Sequence, residues 1–127
     1  MDKNKILAKM EQDLSHFLIA EACKDDPSKR GTPEMYKYKG LGLSTNEKSK
    51  DANKALIVSI GALEAHFKIE NGDKISGNLS PEDERMIQIW MGQSENNTQL
   101  RTIFSKTKQI KTIAIIPFDL EEFYTRN

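Results

Sequence analysis

One cysteine, two histidines and a lysine-rich glycine turn are the residues of this chain whose chemistry could make a site. A thiolate nucleophile needs an imidazole within hydrogen-bond reach of its sulfur. His16 and Cys23 share one predicted helix and lie seven residues apart. At roughly 1.5 Å of rise per residue that separates them by about 10 Å along the axis, so they cannot pair. His66 is the other candidate base. Both histidines fall beside core positions and no strand-to-helix elbow presents the sulfur, so Cys23 reads first as an inert buried thiol. A Cys23-dependent enzyme is the alternative.

The stretch YKYKGLGLSTNEKSKDANKAL, residues 36 to 56, has the look of a phosphate-gripping loop. A P-loop needs two glycines separated by four residues, followed at once by Lys and Ser or Thr. Here one residue separates Gly40 from Gly42, and the next lysine is Lys48. The glycines therefore read as turn formers, with Leu41 and Leu43 docking the turn on the core. Metal binding lacks paired ligands, because the two histidines are fifty residues apart and Glu82, Asp83 and Glu84 are explained by the helix start they occupy. The expectation is no metal, no cofactor and no catalytic residue.

Charge narrows the partners. The chain carries 19 basic and 19 acidic residues, so it has no overall footprint for nucleic acid or an anionic membrane. The basic loop 24–54 gathers Lys24, Lys29, Arg30, Lys37, Lys39, Lys48, Lys50 and Lys54 around Tyr36 and Tyr38, as a single-strand groove would. Acids at 25, 26, 34, 47 and 51 dilute it. A weak nucleic-acid-binding protein using that loop is a further alternative, and nucleic acid is not the expected partner.

An apolar set is the stronger candidate for binding. Met86, Trp90 and Met91, with Phe118, Phe123 and Tyr124 near the C-terminus, exceed what one face of such short elements buries. Large rigid or polarizable side chains of this kind anchor protein interfaces. Together with Tyr36 and Tyr38 they form the expected protein-binding set, against the simpler reading that they close the core.

The elements that must position these residues read as helices. Leu7, Met10, Leu14 and Phe17 make one stripe over residues 2 to 24, with Asp2 as N-cap. DDPSKRGTP breaks that helix, and Pro33 opens a helical turn containing Met35, Tyr36 and Tyr38, with a short strand as the alternative that their alternation allows. From Ser49 or Asp51, the spacing of Ala52, Ala55, Leu56, Ile60, Leu63 and Phe67 predicts a long second helix weakened at Gly61. NGDKISGN ends it. Ser80, Pro81 and three acids start a third helix, for which Gly92 is the expected left-handed cap. SENNT links to a fourth helix with Leu100, Ile103 and Phe104 inside and Lys106, Lys108 and Lys111 at its negative end. TIAII reads as a short extended segment, and DLEEFY as a final turn capped by Asp119.

The expected fold is therefore all-α: about four helices in a bundle, in a single domain spanning residues 1–127, with a short extended segment and a C-terminal turn. One cysteine forms no internal disulfide, which suits a reducing, cytoplasmic setting. The polar N-terminus predicts no Sec signal peptide. The longest apolar run, IAIIPF, falls far short of the roughly 20 residues of a transmembrane segment, so no membrane partner is expected.

The stretches MYKYKGLGL, DANKALIVSIGALEAH, LSPEDERMIQIWMGQ and LRTIF, within residues 35 to 104, resemble a small helical module of effector proteins from Legionella-type intracellular bacteria. That module joins an aromatic-basic-Gly turn, a Lys-Ala-rich helix and a shorter helix ending in Gly. Substrates of that group's type IV secretion system carry glutamates and a hydrophobic residue near the C-terminus, matched here by Glu121, Glu122, Phe123 and Tyr124. The resemblance implies a non-enzymatic regulator, a metaeffector that binds and inhibits a partner effector enzyme, in some cases one that modifies ubiquitin. It also implies translocation into a host cell. The amphipathic helices leave a homodimer open.

Overall fold

The computed structural model describes residues 3–46 and 54–113, with the side chains of the last helix described as far as Ile103. It overturns the all-α bundle. Helix α1 (Lys3–Ala22) is followed by a 3-10 turn (Pro27–Lys29) and the short α2 (Pro33–Tyr36). A four-stranded antiparallel meander comes next: β1 (Gly42–Asn46), β2 (Ala55–Ile60), β3 (Leu63–Lys68) and β4 (Lys74–Gly77). Helices α3 (Pro81–Gly92) and α4 (Ser94–Ile113) complete the order.

The predicted second helix is the β2–β3 hairpin. Its apolar residues satisfy two periods at once, because Leu56, Val58 and Ile60, then Ala65 and Phe67, also alternate at a spacing of two. Gly61, read as a weak point in a helix, is the first residue of a two-residue turn at φ 65°. That left-handed conformation suits the tight turns that match strand twist. Leu63, inward in the helical reading, is 44% exposed. NGDKISGN, read as a terminator, contains β4.

Burial follows the strand period. Leu43, Val58 and Ala65 align across three strands facing the helices, while Ser44, Ile57, His66 and Ser76 form the next row on the opposite face. The inner row ends at Gly77, whose φ of 127° and contact with Ala65 exclude a side chain: a Cβ there would collide with the Ala65 Cα. Helix α1 packs on α3 and β1, and α4 packs on α3. Phe67, Met10, Leu14, Leu18, Ile87 and Met91 are among the largest fully enclosed side chains. Leu43 N donates to Glu11 Oε1 at 3.0 Å, so α1 satisfies a backbone donor of the edge strand β1.

Local helix signals fare better than the fold class. Ser80 accepts from the Asp83 amide at 3.2 Å, and Pro81 with three acids opens α3 as the sequence predicts. The α1 stripe is Leu7, Met10, Leu14 and Leu18, with Phe17 half-buried at its margin. Gly92 is not a left-handed cap; it closes α3, and Gln93 follows at φ −66°. SENNT is not a linker but the start of α4. Asn96 Nδ2 donates to the Trp90 carbonyl at 2.9 Å, a terminal acceptor of α3 that the Gln93 amide also reaches at 3.3 Å. The helix runs on through Thr112 and Ile113, and the rest of TIAII lies outside the described residues, as does the DLEEFY turn.

Candidate protein-binding cleft

Most of the apolar residues singled out by type are core. Met86 is 3% exposed, Trp90 2%, Met91 0% and Tyr38 3%, so none presents its side chain on the surface. Tyr36 is 53% exposed. Phe118, Phe123 and Tyr124 lie outside the described residues.

Tyr38 is held by a buried acid. Its hydroxyl donates to Asp83 Oδ1 at 2.6 Å, and Lys37 Nζ stands 3.4 Å from Asp83 Oδ2. Burial, followed by the hydrogen bond to Asp83 and nearby negative charge, pushes the Tyr38 phenol well above the ordinary tyrosine range. The Asp83 carboxylate, which the sequence explains only as a helix-start acid, thus ties α3 to the segment after α2.

Tyr36 borders a cleft of about 420 Å³ lined by His16, Ile19, Ala20, Arg30, Gly31, Met35, Tyr36 and Lys39. His16, Ile19 and Ala20 recur at helical spacing on one face of α1. Opposite them, short-range bonds shape the loop. Asp26 Oδ1 accepts from the Ser28 amide at 3.1 Å and from its hydroxyl. Those bonds, the hydroxyl's first, hold the Asp26 carboxyl below its usual range. Thr32 Oγ1 donates to the Lys29 carbonyl at 2.6 Å, and the Thr32 carbonyl accepts from Met35 and Tyr36. Gly31, at φ 79°, makes the bend between the two turns. Met35 is buried beneath the cleft, and Lys39 Nζ lies 4.8 Å from the Tyr36 ring centre.

The other candidates separate. Cys23 is buried in the core cluster, His16 is exposed on α1, and His66 lies on the opposite sheet face, 3.4 Å from Glu64 Oε1. The sheet therefore stands between Cys23 and the one imidazole that sequence spacing allowed it. Among the described residues, no group of three or more His, Cys, Asp or Glu could hold a metal ion. Of the basic loop, Lys37 is committed to Asp83, Arg30 and Lys39 border the cleft, and Lys48 and Lys50 lie outside the described residues. No helix among the described residues is long and apolar enough to cross a membrane.

Sequence reasoning did not assemble the cleft. Arg30 and Lys39 entered it only as members of a basic loop, and His16 only as a possible base for Cys23. Ile19 and Ala20 carried a usable signal, since they continue from His16 along a helical face beside the buried stripe. Comparison with protein-family models, curated proteins and solved structures finds no match to this chain.

Proposed function

We propose that this chain is a non-enzymatic regulator that binds a partner protein through the cleft between α1 and residues 30–39. The observation that carries the reading is Tyr36: a 53% exposed aromatic beside a preformed cleft, with a lysine over its ring. Tyrosine at such a position gains contact area for little lost rotamer freedom, and apolar pockets rimmed by polar groups are where binding residues concentrate. The chain contributes occlusion: seated on its partner, it covers a substrate-binding surface or restrains a mobile segment. The resemblance to effector modules makes a bacterial effector enzyme, including a ubiquitin-modifying one, the first partner to assay.

The test is capture from source-cell and host-cell lysates with the wild-type chain, Tyr36→Ala, and Ile89→Ala as a control for an exposed apolar residue elsewhere. A protein held by wild type and Ile89→Ala but lost by Tyr36→Ala, and whose activity falls on adding the chain, is the expected result. A folded Tyr36→Ala chain that retains every captured protein overturns the assignment of the cleft.

A further inference from the structure

We infer that the cleft recognises an acidic segment of the partner, seating one carboxylate between Arg30 and Lys39 and an adjacent apolar side chain on the Ile19–Met35 floor. This rests on the protein-binding reading above and specifies its chemistry.

Charge is the first argument. Among the described residues, Arg30, Lys39 and His16 line the cleft and no carboxylate does. Among the described residues neither Arg30 nor Lys39 has an anionic partner; Lys39 is engaged only with the Tyr36 ring. Two other described lysines are paired, Lys37 with Asp83 and Lys74 with Glu84 at 2.7 Å. Of the nearby acids, Asp26 is turned into Ser28, and Asp25 and Glu34 are not among the residues that line the cleft. In a chain of zero formal net charge, the cleft is thus a local cationic site.

Geometry and size supply the rest. The loop bonds around Asp26 and Thr32, with the Arg30 amide donating to the Pro27 carbonyl, fix the backbone that carries Arg30 before any ligand arrives, which lowers the entropy lost on binding. A guanidinium accepts a carboxylate through two parallel hydrogen bonds, whereas an ammonium acts as a point charge, so Arg30 orients the group and Lys39 neutralises it. About 420 Å³ accommodates one or two side chains, and a short extended segment delivers an acid beside an apolar residue into that space.

The experiment titrates the isotope-labelled full chain with two blocked tripeptides, Glu-Phe-Glu and Gln-Phe-Gln, following backbone amide shifts. The acidic peptide is expected to shift residues 16–20 and 30–39 saturably, with the amide peptide about tenfold weaker. Arg30→Gln is expected to keep the wild-type spectrum elsewhere and lose about tenfold in affinity for the acidic peptide. Salt at about 0.5 M screens the exposed charges and weakens the same binding. Equal binding of the two peptides, shifts mapping elsewhere, or an unaffected Arg30→Gln chain overturns the inference.

The two readings fail separately. If Tyr36→Ala loses a captured protein while Glu-Phe-Glu does not bind, acidic recognition is overturned and protein binding stands. If Glu-Phe-Glu binds the cleft but no captured protein depends on Tyr36, the carboxylate chemistry stands and the partner-protein reading falls.

Discussion

Tyr36 and Tyr38 are two residues apart, and each has a lysine near its ring, Lys39 at 4.8 Å and Lys37 at 4.9 Å. Their fates are opposite. Tyr38 is 3% exposed and its hydroxyl is bonded to a buried carboxylate; Tyr36 is 53% exposed and borders the cleft. Composition treats the pair as equivalent interface candidates. What separates them is a partner from elsewhere in the chain, since Asp83 on α3 completes the hydrogen-bonding needs of one phenol. One tyrosine is therefore a strut, and the other is available to a ligand.

The comparison breaks first at Tyr38. Replacing it with Phe keeps the ring but removes a donor from Asp83, a buried acceptor left with Lys37 at 3.4 Å. Chemical denaturation is expected to show a loss of about 1–3 kcal/mol. A loss below about 0.5 kcal/mol, the range of ordinary surface substitutions, would show that the strut carries no stability.

The same bond has a pH signature. The folded-state phenol is raised above its ordinary value of 10.0, so in alkali the folded chain keeps a proton that the unfolded chain releases. This contribution is complete below pH 10.0 and declines as pH rises above it towards the higher folded-state value. Denaturation midpoints measured through that range are expected to fall more steeply for wild type than for Tyr38→Phe. Parallel slopes would count against the linkage.

Tyr36→Ala sharpens the contrast from the other side. Its effect on stability is expected within about 0.5 kcal/mol, because the side chain is half in solvent and makes no side-chain hydrogen bond among the described residues. The same variant is the one expected to lose the captured partner. A large destabilisation would make Tyr36 a second strut and withdraw it from the binding surface.

The limits of sequence reading follow the same division. Ser80 and Pro81 announce α3 because capping is settled within four residues. The α1 stripe is legible because its apolar spacing fits one period. Residues 55–68 fit both periods, and the β-branched Ile57, Val58 and Ile60 with the two-residue turn Gly61-Ala62 favour the strand period. Trp90, Met86 and Met91 look like interface anchors by type, yet type does not say whether another element covers them. The cleft was legible only in fragments, because its two walls come from α1 and from a loop at least ten residues further along the chain.

By itself, the sequence determined the start of α3 that short-range bonds dictate, the absence of a P-loop spacing, the balanced charge and the amphipathic stripe of α1. These depend on residues within a turn or two of one another, or on composition alone. Tertiary structure decided that residues 55–68 form a hairpin, that Asp83 captures Tyr38, and that Arg30 and Lys39 share a cleft with His16. Strand pairing, burial and charge convergence join distant segments, and their free energy depends on which surfaces exclude water together.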